Sequence, residues 1–191
     1  MKVFNKVIHK VNDMQKYLRG PALTSHGWKA GGLFLVFCIA AWFAFNQTTP
    51  APEVRFTLIS GKTISPEDLK GKIYWVHFWS THCASCMAEM PGLVSIYEKF
   101  KSREQDFECI AVAVQDDFPE YVRHYSQTRQ LPFNVALDKG DIARKFGHVQ
   151  LTPTTFFINA QGQIVKKIVG PINFRELDKW LESVLFKHAP A

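Results

Sequence analysis

The chain has 191 residues, enough for one ordinary domain and an appendage but not for two full domains. It is 47% hydrophobic and 21% charged, with 16 Phe and 5 Trp, which excludes a disordered or collagen-like polymer. The net charge of +6 is concentrated at one end. Lys2, Lys6, Lys10, Lys16, Arg19 and Lys29 stand against Asp13 alone in residues 1–30, whereas residues 31–191 hold 17 basic and 16 acidic residues. A body that close to neutral excludes a broad nucleic-acid-binding face, and four Cys are too few for a disulfide-stapled scaffold.

No charged residue lies between Lys29 and Glu53, and Ala30 to Phe45 is almost wholly apolar. A membrane-spanning helix needs about 20 residues. Trp28 to Gln47 supplies that length, with Trp28 and Trp42 placed as interfacial aromatics. The positive-inside rule then predicts a cytoplasmic tail at 1–27, an anchor at 28–47 and the remainder, 48–191, outside. The protein is therefore expected in the cytoplasmic (inner) membrane, single-pass, with its C-terminal part in the periplasm. A cleaved signal peptide fits less well, because no A-x-A site is clear after the apolar run. A lipidated Cys38 would follow the bulky Phe37.

Residues 48–53 read as a polar, Pro-containing tether. Val54, Phe56 and Leu58 alternate with polar neighbours before Ser60-Gly61, an edge-hairpin pattern. Ile73 to Trp79 and Phe107 to Gln115 are apolar runs expected as buried strands. Met87, Met90, Val94 and Tyr97 recur at helical spacing between them. Helices are expected over Phe118 to Thr128 and Asp141 to Phe146, with an extended piece at Phe133 to Leu137. Thr155 to Asn159 and Ile164 to Val169 flank Ala160-Gln161-Gly162 as a hairpin, and Phe174, Leu177, Leu181, Val184 and Leu185 share one face of a last helix. The pattern predicts an α/β domain with a mixed central sheet flanked by helices over residues 54–187.

Cys83-Ala84-Ser85-Cys86 follows the first apolar strand and opens a helix. Two thiols three positions apart there can close a disulfide across one turn, and the first sits over the positive end of the helix dipole, which favours its thiolate. C-x-x-C is also half of a zinc site, but no second Cys pair exists, and Met87 replaces the His of a haem-attachment motif. A site combining His77 and His82 with the cysteines, and with it a copper-binding or delivery protein, stays open at this point.

The segment Val76 to Cys86 (VHFWSTHCASC) resembles the thioredoxin active site, and Cys86 to Pro91 (CMAEMP) resembles the membrane-anchored TlpA/ResA/CcmG (DsbE) group, in which Glu and then Pro follow the second Cys. Thr152 to Ile158 (TPTTFFI) is similar to the segment carrying that family's cis-proline, and Asn159 to Gly170 to the hairpin after it. The similarity runs from Val54 to Phe186. Three residues depart from the pattern: His82 stands where Trp is common, Pro is missing between the cysteines, and His77 replaces a buried Asp.

The resemblance implies a thioredoxin-like fold and a thiol–disulfide oxidoreductase that needs no cofactor beyond its own dithiol. It implies Cys83 as attacking nucleophile, Cys86 as resolving thiol, Glu89 as a proton carrier, and Pro153 in a cis bond opposite the cysteines. Trp79, His82 and Thr152 would adjoin the substrate. It further implies reduction of extracytoplasmic protein disulfides by electrons from a membrane thiol donor, with apocytochrome c or a cuproprotein-assembly thiol as client. A peroxiredoxin is a competing reading, but its P-x-x-x-T-x-x-C pattern requires Pro at position 76, which is Val. His77 reads as a hydrogen-bonded core residue, Cys109 as a small buried hydrophobe, and Pro91 as a bend in the first helix.

Overall fold

The computed structural model describes residues 49–104 and 106–185. The tail and anchor expected at 1–27 and 28–47 lie outside the described residues. Within these residues no helix is long and apolar enough to cross a membrane.

The elements in chain order are β1 (Thr49–Pro50), β2 (Phe56–Thr57), β3 (Thr63–Ile64), a helical turn at Glu67–Leu69, β4 (Ile73–Trp79), α1 (Ala84–Lys101), β5 (Phe107–Ala113), α2 (Pro119–Thr128), β6 (Asn134–Leu137), α3 (Ile142–Lys145), β7 (Thr154–Ile158), β8 (Gln163–Val169) and α4 (Phe174–Leu185). A six-stranded sheet has the order β1-β8-β7-β4-β5-β6, and β2 and β3 form a separate hairpin. The β4–β5 and β5–β6 pairs are parallel, while β4–β7, β7–β8 and β1–β8 are antiparallel. This is the expected mixed sheet. Its parallel pairs are joined through helical crossovers, and β7 and β8 by a tight hairpin turn, where Gly162 adopts φ +74°.

One boundary differs from the sequence reading. Thr49 and Pro50, read as tether, pair with Ile164 and Gln163 at the edge of β8, and the Ala51 N–H donates to the Gly162 carbonyl at 2.8 Å. An edge strand tolerates Pro because one of its sides needs no ladder donor, so composition alone does not separate this strand from a linker.

Strand parity explains the two cores. Trp75 and Trp79 of β4 face α1 together with Cys109, Ala111 and Ala113 of β5 and Phe157 of β7, whereas Tyr74, Val76 and Phe78 face the other side with Phe146 and Phe156. Helix α1 meets the first layer with Cys86, Glu89, Met90, Leu93, Ile96, Tyr97 and Phe100, spaced three and four apart. It continues through Pro91, whose missing N–H costs one intrahelical bond. Gly92 lies so close to the Phe174 ring of α4 that a Cβ there would collide with it. Cys109 is a buried free thiol whose pKa burial pushes well up, which keeps it protonated.

Candidate active site

The carboxyl ends of the adjacent parallel strands β4 and β5 release two loops side by side, the usual place for a site in an α/β sheet. From β4 the chain passes through Ser80-Thr81-His82 to Cys83, the residue that caps α1. The Cys83 side chain accepts the Cys86 N–H at 3.2 Å, and the two sulfurs are joined as a disulfide with Cα atoms 5.2 Å apart. Cys83 is half-buried, whereas Cys86, one turn inside, has no exposed surface. A thiolate at position 83 would receive a backbone N–H at the positive end of an 18-residue helix.

The approach to Cys83 is pinned from the β5 loop. The buried Asp117 carboxylate accepts the Thr81 N–H at 2.6 Å and the Thr81 hydroxyl at 2.6 Å. It also lies 3.4 Å from Nδ1 of His82, whose side chain is 57% exposed. The His82 N–H donates to Ser80 Oγ at 3.1 Å. Asp117 belongs to no motif in the sequence, where Asp116-Asp117 is an ordinary acidic pair, and its position just past an apolar strand is the one signal that points to it.

Beneath the disulfide, β4 parity turns His77 toward α1, where it meets Glu89. The carboxylate Oε2 accepts the Ile172 N–H at 2.9 Å, and Oε1 stands 3.5 Å from His77 Nε2. These two facing atoms have no hydrogen-bond partner, and both residues are buried. His77 Nδ1 is 2.9 Å from the Thr155 hydroxyl on β7. Burial pushes the His77 pKa down to about 3, so the imidazole is neutral. Burial pushes the Glu89 carboxyl upward, opposed by the Ile172 N–H bond.

On the far side, the Thr152–Pro153 peptide is cis, and the Thr152 carbonyl lies 3.6 Å from Cys83 Sγ. Cys83, Cys86, Glu89, His82, Thr152 and Pro153 are therefore brought to one end of the sheet. Trp79, expected beside the substrate, lies one layer beneath the surface. It is fully buried, 5.6 Å from the Tyr125 ring, because its parity on β4 directs it into the α1 layer. Among the described residues no group of three or more His, Cys, Asp or Glu side chains is placed to hold a metal ion, and buried His77 and exposed His82 have different partners.

Comparison with known proteins agrees with this geometry. The AhpC/TSA family pattern matches residues 48–167. The thiol-disulfide oxidoreductase ResA of Bacillus cereus (strain ZK / E33L) is 35% identical over 163 residues, covering 80% of this chain and 92% of the relative. The thiol:disulfide interchange protein of Chlorobium tepidum TLS superposes with a TM-score of 0.66 at 30% identity, over 73% of this chain and 97% of that one. StoA from Bacillus subtilis superposes at 0.59 with 27% identity, over 71% and 100% of the two chains. A cysteine pair at the mouth of a thioredoxin-like sheet, in a chain this similar to such enzymes, places the protein in the AhpC/TSA family as a TlpA/ResA/CcmG-type thiol–disulfide oxidoreductase.

Proposed function

We propose that the chain is a membrane-tethered reductase of extracytoplasmic protein disulfides, such as those of apocytochrome c, with Cys83 as its nucleophile. The observation that carries the order of attack is the contrast between half-buried Cys83 and fully buried Cys86. The Cys83 thiolate attacks a substrate disulfide, forming one S–S bond as the substrate S–S bond breaks, and the leaving thiolate takes a proton. Cys86 then loses its proton to Glu89 and attacks the Cys83 sulfur, releasing the second substrate thiol. Two electrons have moved to the substrate, and the Cys83–Cys86 disulfide is the form in this structure. A membrane thiol donor returns it to the dithiol. Pro153 and Thr152 line the place where the substrate backbone lies beside Cys83.

The reductase direction rests on a compartment argument. Outside the cytoplasm disulfides form readily, so a tethered dithiol is useful there when it is kept reduced. The basic tail before the apolar run of residues 28–47 supports the anchor and the periplasmic side. The tether would also raise the local concentration of the domain beside a membrane-embedded donor. The peroxidase reading lacks its proline. Val76 pairs with both Ile110 and Phe156 in the sheet interior, where Pro is not accommodated.

Cys86→Ser should accumulate a mixed disulfide between Cys83 and its client, and Cys83→Ser should trap nothing. The reverse pattern would exchange the two roles. A redox potential well below that of glutathione, with the pair reduced in cells, supports the reductase. A potential near about −120 mV, with the pair oxidised in cells, overturns it. A reporter fused after Ala191 should be active only outside the cytoplasm.

A further inference from the structure

Each round of disulfide reduction delivers two protons along with two electrons, one proton to each departing substrate sulfur. Glu89 is buried one turn beyond Cys86 and is placed for the second departure. The first departure takes place at half-buried Cys83, and the residue before it is His82. These two consecutive residues line one depression of about 660 Å³, together with Thr152. His148 lines it too, yet among the described residues no carboxylate is paired with that ring.

The His82 ring is held from two sides. Its Nδ1 lies 3.4 Å from Oδ1 of Asp117 and 3.5 Å from the Thr81 hydroxyl oxygen. Thr81 gives its own hydroxyl proton to that same carboxylate oxygen at 2.6 Å, so both neighbours of Nδ1 are acceptors. The ring proton therefore resides on Nδ1, and Nε2 keeps a free lone pair. Phe118 and Tyr121 meet the imidazole edge-on at 6.1 Å each and stand 5.5 Å from one another. An ordinary surface ion pair has both partners in water and contributes little. Here the carboxylate has no exposed surface and is anchored through both oxygens, while the imidazole is 57% exposed. A fixed carboxylate behind an accessible imidazole is an arrangement that moves protons.

We propose that His82, oriented by Asp117, carries the Cys83 proton to the first departing substrate sulfur. In the dithiol form, neutral His82 takes the proton of the Cys83 thiol at Nε2, leaving a thiolate beside an imidazolium. The thiolate attacks the substrate disulfide. The Cys83–substrate S–S bond forms as the substrate S–S bond breaks, and the electron pair of the broken bond stays on the departing sulfur. The imidazolium then gives that sulfur its proton and returns to the neutral ring. The second proton travels from Cys86 through Glu89, so two electrons and two protons leave the dithiol and none is drawn from elsewhere. Asp117 is a positioning residue, which fixes the ring and its tautomer and faces the positive charge during the step. The inference rests on the reductase reading and adds the residue that delivers the first proton.

The test uses the full-length protein in its dithiol form and two small disulfides that differ in the basicity of the departing thiol. Hydroxyethyl disulfide releases an alkyl thiol of ordinary basicity, whereas dithiobis(nitrobenzoate) releases an aryl thiolate that departs readily without a proton. Rapid acid quenching and alkylation of the remaining thiols follow the oxidation of Cys83 and Cys86 at neutral pH. A change in the fraction of Cys83 thiolate alters both rates by the same factor, so the ratio of the two rates isolates proton delivery. His82→Gln should slow the alkyl disulfide at least about tenfold more than the aryl one. Asp117→Asn should move the ratio in the same direction by a smaller factor. His148→Asn, which suits the left-handed φ of 54° at that position, should keep the wild-type ratio. An unchanged ratio in His82→Gln, whether both rates fall together or neither falls, overturns the proposal and leaves the reductase standing. An unchanged ratio in Asp117→Asn, or one shifted equally by His148→Asn, does the same. Failure of the wild type to reduce either disulfide removes the reductase reading and this proposal together.

Discussion

His77→Asn tests the buried pair beneath the disulfide through the pH dependence of stability. In the unfolded chain the imidazole takes up a proton below pH 6.5, whereas in the fold burial delays that to about 3. The folded value is depressed for a base, so the stability tied to neutral His77 is present above pH 6.5 and is lost as pH falls toward 3. The slope is about 1.4 kcal/mol per pH unit for one proton. Between pH 6.5 and 3.5 the wild type should lose on the order of 4 kcal/mol from this group. Glu89 works in the opposite sense, since its folded pKa is raised. Its contribution is complete below 4.5 and is lost as pH climbs through the raised value. Subtracting the curve of His77→Asn, which keeps Glu89 and every other carboxylate, leaves mainly the imidazole slope. Asn can still bond the Thr155 hydroxyl, so its cost at pH 7.5 should be about 1–3 kcal/mol. The difference should then shrink with acid and change sign above pH 3.5. Urea unfolding of the oxidised protein, followed by circular dichroism at half-unit pH steps, measures it. A difference curve flat to within about 1 kcal/mol would refute the reasoning, because it would mean that His77 is already protonated in the fold or never charges on unfolding.

Two other substitutions probe the site and its support. Glu89→Gln keeps the volume and the acceptor for the Ile172 N–H but removes the proposed proton carrier, so resolution of the mixed disulfide should slow by at least about tenfold and lose its pH dependence between about pH 6 and 9. Stopped-flow fluorescence reads this, and unchanged kinetics would leave Glu89 with a structural role alone. Gly92→Ala should drive a Cβ into the Phe174 ring and cost about 1–3 kcal/mol despite the better helix propensity, lowering Tm by roughly 5 °C. An unchanged Tm would show that α1 and α4 are not so closely apposed.

The local chemistry of the site is written in the chain itself. Cys83 and Cys86 fall three apart at a helix start because an apolar run ends at Trp79 and a helical spacing begins at Met87, and both signals are local. The hairpin about Gly162 and the amphipathic face of α4 are legible for the same reason. Periodicity tells which side chains share a face, but not what that face meets. His77 and Trp79 share the α1 side of β4, yet only packing puts His77 within 3.5 Å of Glu89 and seals Trp79 from solvent. Likewise, Asp117 reaches Thr81 because β4 and β5 lie side by side and parallel, although 36 residues separate the two along the chain. Thr49 and Pro50 become a strand only because the edge of β8 offers them partners. Short-range order follows from backbone sterics and side-chain spacing, which each segment carries with it. Pairings between segments depend on how the whole sheet closes around its core, and no single segment encodes that.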